Sequence, residues 1–153
     1  MNRMLTATLA MLVTASIAMA HCQVPCGIYG DQMRFEKMLE DEHTISKAQL
    51  QINELSEGKV TAQAVNQSVR WVTTKEDHAT MIQETIASYF MAQRIKPDAD
   101  NYQKSLMAAH KVMVAAMKCK QSADPATAED LEKAIFDFYR AYEGKEPAFE
   151  HSH

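Results

Sequence analysis

Apolar residues recur at helical spacing in four stretches of this chain. In the first, Met38, Ile45, Ile52 and Leu55 mark one face of a segment running from about Asp31 to Leu55. Asp31 stands where a capping side chain would, and Gly58 breaks the pattern. The second stretch starts near Thr61 and reaches about Arg94, with Val65, Val69, Val72, Ile82, Ile86, Tyr89 and Phe90 as its apolar side. Lys96-Pro97 ends it, because proline disfavours helix at the residue before it. Asp98 or Asp100 is placed to cap a third helix, whose stripe is Leu106, Ala109, Met113, Ala116 and Met117. Ser122-Ala123-Asp124-Pro125 forms the next turn, with proline suited to a helix start. The fourth helix carries Leu131, Ala134, Ile135, Phe138 and Tyr142, stops at Gly144, and leaves Lys145 to His153 as a frayed tail. Four amphipathic helices joined by short loops predict an all-α fold, an antiparallel four-helix bundle over about residues 31–144. Two-helix pairing around an oligomeric core is a variant of the same pattern.

Composition agrees. The 153 residues suit one domain, 46% of them are hydrophobic, and only 4 Gly and 4 Pro interrupt the pattern, too few for the turns of a sandwich or barrel. The net charge of −4 and the lack of a basic run argue against a nucleic-acid partner. The methionines beyond residue 20 fall mostly on apolar stripes, where core filling is the expectation.

Residues 1–20 differ in kind. Arg3 is followed by an uncharged, mainly apolar run from Met4, ending Ala18-Met19-Ala20, a small-x-small cleavage site. This pattern predicts a secretory signal peptide, too short to remain as a stable membrane anchor. Its removal would leave a domain of residues 21–153 and make His21 the amino terminus. The expected compartment is the periplasm or the cell exterior, the alternative being a cytoplasmic protein with a cleaved propeptide.

The exposed start, His21-Cys22-Gln23-Val24-Pro25-Cys26-Gly27-Ile28-Tyr29, concentrates metal donors. A free α-amine on His21 and the Cys22 amide nitrogen close a five-membered chelate ring around one ion. The Cys22 amide and thiolate close a second, and Cys26 supplies a fourth donor. The His21 imidazole is available as an axial fifth. Planar nitrogen donors with thiolates suit nickel or copper, whereas zinc prefers a tetrahedral cage. Thiolates tend to reduce Cu(II), which favours nickel, and an anionic amide with thiolates stabilises Ni(III). The predicted hook, residues 21–29, thus suits one-electron cycling. A Cys22–Cys26 disulfide in an oxidising compartment is the competing reading. The C-x3-C spacing fits neither a C-x-x-C redox motif nor haem attachment.

His-Cys-x-x-Pro-Cys-Gly-x-Tyr at a processed amino terminus resembles the nickel superoxide dismutase family, with His21, Cys22, Pro25, Cys26, Gly27 and Tyr29 all matching. The resemblance extends more weakly through the helical remainder. It implies a four-helix bundle assembled as a homohexamer and one nickel ion per chain, held by His21, Cys22 and Cys26. It implies conversion of superoxide to oxygen and hydrogen peroxide by Ni(II)/Ni(III) cycling, after a maturation protease has freed His21. Tyr29 would screen the open axial face. Arg34-Phe35-Glu36 resembles the Arg-x-Glu segment that follows the hook, one residue closer to it than in the family pattern. It makes Glu36 the residue expected to hydrogen-bond the axial imidazole. His78 stands where some members have an arginine near that imidazole. Tyr89-Phe90 resembles the family's Tyr-Phe pair, and Tyr89 is either a residue approaching the hook or a core aromatic.

Cys119 has no obvious partner and is expected to be structural. His43 and His110 show no carboxylate–histidine constellation along the chain, and His151 and His153 lie in the tail; none is assigned a role. Two further functional readings stand beside the dismutase: a non-catalytic exported nickel- or copper-binding helical protein, and a structural bundle closed by the Cys22–Cys26 disulfide.

Overall fold

A computed structural model describes residues 30–149; the leader, the hook at 21–29 and the last four residues lie outside the described residues. The described chain is helical throughout, in the order α1 (Asp31–Glu57), α2 (Ala62–Glu84), α3 (Tyr102–Gln121) and α4 (Ala126–Glu143). A π-helical extension, Thr85–Arg94, continues α2. The helices pack α1 on α2, α2 on α3, α3 on α4 and α4 back on α1, the neighbour pattern of an up-down-up-down bundle. No helix among the described residues is long and apolar enough to cross a membrane.

The core runs the length of the bundle, with Met38, Ile45, Ile82, Ile86, Val112, Leu131 and Ile135 fully buried. One end is closed by aromatic rings. Phe35 of α1 lies 4.9 Å from Phe90 and 5.1 Å from Phe138, and Phe90 meets Phe138 edge-on. Such tilted and edge-on contacts are favourable beyond the area they bury. Phe35 is thereby fixed five residues into α1, at the end where the chain arrives from the hook. The opposite end is tied by polar contacts. Gln49 donates to Thr127 Oγ1 (2.7 Å) and Asn53 to the Ala123 carbonyl (2.9 Å). Buried Lys75 donates to the Cys119 and Lys120 carbonyls in the last turn of α3, where a cation also meets the negative end of the helix dipole.

Several expectations change. Asp31 does not cap α1; Gly30 occupies the cap position and Asp31 is the first helical residue. Neither Asp98 nor Asp100 caps α3. The position belongs to Asn101, whose amide donates to the Ala141 and Tyr142 carbonyls of α4 instead. Val65, Val69 and Val72 are not on the core side of α2 but exposed. The buried set Ala79, Ile82, Ile86 and Phe90 fixes the rotation of this helix, and the same period carries Ala64, Ser68, Trp71 and Lys75 inward. The methionines mostly leave the core too: Met33, Met81, Met91, Met107 and Met117 are exposed and only Met38 is fully buried. The tail is anchored as far as it is described, because the Phe149 ring packs 4.8 Å from Tyr139 and Glu146 accepts from Arg140.

Candidate metal centre

His21, Cys22, Cys26 and Tyr29 lie outside the described residues. What the structure displays is the end of the bundle to which they are joined. Asp31, two residues after Tyr29, is the hub of that end. Its Oδ1 accepts from the Tyr89 hydroxyl at 2.6 Å, and its Oδ2 accepts from Tyr142 and from Arg94, each at 2.7 Å. Three side chains from two elements, the π-helical extension and α4, are therefore drawn onto the first residue of α1. Burial alone would raise the Asp31 carboxyl, but donation from Arg94, Tyr89 and Tyr142 overrides it and holds the group below its usual value. Burial and the Asp31 carboxylate push both phenols up, so they remain protonated donors at neutral pH.

Tyr89 sits in the π-helical extension, a geometry frequent at functional positions. Its ring stands edge-on to Phe90 at 5.1 Å, and the Arg34 guanidinium lies over it at 4.8 Å from the centroid. Tyr89 is thus a core aromatic and also part of the hook-bearing end. Arg34 has no ion pair among the described residues, and its Nε is buried without a hydrogen-bond partner there.

Glu36 points elsewhere. It is exposed, and its carboxylate accepts from Gln32 at 2.9 Å, one turn back on the same helix. His78 is held in the α1–α2 seam, its Nδ1 2.7 Å from Asp41 Oδ1, which also accepts from Lys37 at 3.0 Å. A groove of about 540 Å³ runs beside this pair, lined by Arg34, Lys37, Asp41, Glu84 and Thr85 among others. The structure therefore brings Tyr89 together with Arg34 and Asp31; Glu36 is hydrogen-bonded to Gln32 and His78 to Asp41, and the hook they were read against lies outside the described residues. Cys119 is buried, its Sγ 3.2 Å from the Thr127 carbonyl; burial raises its thiol, which suits an inert structural role.

Asp31, Arg94 and Tyr142 escaped the sequence reading. Asp31 looked like a cap and Tyr142 like one more stripe residue. Their pairing joins positions 111 residues apart. The one available signal was chemical: a tyrosine and an arginine each closing a helix, with an acid opening another.

Comparison with known proteins agrees with the motif at the amino terminus. A family model described as nickel-containing superoxide dismutase matches residues 16–146. No curated protein and no solved structure gives a match.

Proposed function

The chain belongs to the nickel-containing superoxide dismutases, and we propose that its hook, residues 21–29, is the catalytic centre, holding one nickel ion per chain. The activity is the disproportionation of superoxide to oxygen and hydrogen peroxide, with nickel as cofactor. The observation that carries the assignment to the hook is the run His21-Cys22-Gln23-Val24-Pro25-Cys26, which lies inside the matched segment and directly follows the small-x-small pattern Ala18-Met19-Ala20.

The donor set fits the ion. The His21 amine, the Cys22 amide nitrogen and the Cys22 and Cys26 thiolates would hold it, and the His21 imidazole would be a further donor. Bound there, nickel supplies reversible one-electron transfer. The remaining work falls to the chain. Tyr29 screens the open face and limits access to small molecules. Its phenol and the neighbouring amides hold substrate and the waters that supply protons for peroxide. Glu36 orients the His21 imidazole. Because Glu36 is exposed on its own bundle, it is available to a second chain as well as to its own hook. Arg34, cationic and without an ion pair among the described residues, gives the hook-bearing end a local positive charge on an acidic molecule, which favours approach of an anion.

The working form is a homohexamer in this proposal. Support comes from the valine face of α2, where Val65, Val69 and Val72 recur at i, i+4 and i+7 and are 50%, 60% and 41% exposed. Contiguous exposed apolar surface of this kind marks contact sites. A protease releases residues 1–20, and the protein acts in the periplasm or outside the cell. The test is nickel content and dismutation on protein with His21 confirmed by mass as its amino terminus. About one nickel per chain and activity are expected, both lost when residue 20 is retained. Equal activity with residue 20 retained would remove the hook as the centre.

A further inference from the structure

Along the sequence His43 has no ligand partner at a recognisable spacing. The bundle supplies one across helices. Glu42 and His43 of α1 meet Glu132 of α4, and one ligand atom from each lies within 4.8 Å of the other two. The Glu42 side chain is only 5% exposed, yet its carboxylate accepts no hydrogen bond among the described residues. His43 Nε2 stands 3.8 Å from its Oε2, beyond hydrogen-bond reach. Lys75, the buried cation of this region, is committed to the α3 carbonyls. A carboxylate buried without donors and facing a second carboxylate is unfavourable unless a proton or a cation is shared.

We propose that Glu42, His43 and Glu132 form a divalent-cation site, suited to zinc, that joins α1 to α4 and is separate from the hook. Two carboxylate oxygens and an imidazole are ordinary zinc donors, and a water on the open side completes four. Tetrahedral zinc bonds of about 2.0–2.2 Å set ligand atoms roughly 3.3–3.6 Å apart. The three ligand atoms, within 4.8 Å of one another, would draw in to that spacing on binding. Glu42 stands eleven residues past Asp31, roughly 16 Å along the helix axis, so the two sites do not share ligands.

Zinc alone, titrated calorimetrically into the nickel-loaded enzyme and into a Cys22→Ser/Cys26→Ser chain, separates this site from the hook. One zinc per chain is expected in both. Glu42→Gln and Glu132→Gln should each weaken binding at least ten-fold with helicity intact, since neither adds buried charge. Glu42→Gln should leave dismutation of the nickel enzyme unchanged. Absence of zinc uptake, or uptake that persists in both glutamine variants and so belongs to the tail histidines or another surface, overturns the site.

Discussion

Asp31 bears three charge-assisted hydrogen bonds at the first residue of α1, and its loss is felt at the hook-bearing end. Asp31→Asn keeps the shape but removes the charge and should destabilise the protein by about 1.5–3 kcal/mol at pH 7. The folded carboxyl is held below its ordinary 3.8. Its stabilising effect is therefore complete above that value and is lost as pH falls through the lower, folded one. Wild type and Asp31→Asn should converge in thermal midpoint as pH falls below the ordinary carboxylate range, and a gap that persists in strong acid would argue against the carboxylate as its source. The metal donors make a sharper case. Cys22→Ser or Cys26→Ser should abolish nickel binding and dismutation, while His21→Ala should retain nickel but turn over slowly; full activity in both serine variants would sink the proposed centre. Glu36→Gln should lower activity about 10–100-fold with an altered paramagnetic signal from the oxidised metal and an unchanged fold. At this scale the family was legible, because its hook motif is local: its proposed chemistry depends on neighbours in sequence and on a chain end, and the donors themselves lie outside the described residues. Asp31 and the Glu42–His43–Glu132 group were not, because each is assembled from different helices.

The elements followed their local signals wherever the backbone needed a particular residue. Thr61 starts α2 as its spacing implied, its hydroxyl accepting from the Ala64 amide at 3.0 Å. Gly144 ends α4 at φ 71°, with its amide returning to the Arg140 carbonyl. Side-chain capping at Thr61 is worth about 1 kcal/mol, so Thr61→Ala should lower stability by that amount in urea unfolding. Gly144→Ala should cost about as much, because alanine tolerates a left-handed backbone poorly. Lys75 shows where local signals fail. In sequence it is one more charge on a helix, yet it is buried and donates to two carbonyls of α3. Lys75→Met should cost about 1–3 kcal/mol and loosen amide protection in the last turn of α3 selectively. The π-helical extension likewise has no single-residue signature. Ile86, Tyr89 and Phe90 are buried at i, i+3 and i+4, the spacing an α-helix would also give, so the burial pattern along the sequence does not announce it.

For the whole molecule, the valine face of α2 is the feature that the bundle alone does not account for. The apolar period was visible in sequence, but its direction was not, because a stripe that faces a core and one that faces a neighbouring chain have the same pattern. The orientation follows from the buried C-terminal half of the same helix, which leaves Val65, Val69 and Val72 outside; Val60 and Leu50 are exposed as well. A monomer gains nothing by keeping these residues apolar, whereas the proposed assembly would bury them. In that proposal the two properties are placed apart: the fold depends on Ile82, Ile86 and Phe90, and association would depend on the valines. Val65→Asp/Val69→Asp should therefore leave helicity and the unfolding midpoint of the isolated chain nearly unchanged while shifting the mass in light scattering from the oligomer towards the monomer. Each aspartate would have to be desolvated at a contact built for valine, a cost large enough to dissociate subunits when repeated around a ring. A native-sized assembly in the double variant would move the interface to another surface. Monomers with intact nickel but reduced turnover would show that a neighbouring chain helps complete the site, a role for which exposed Glu36 is available.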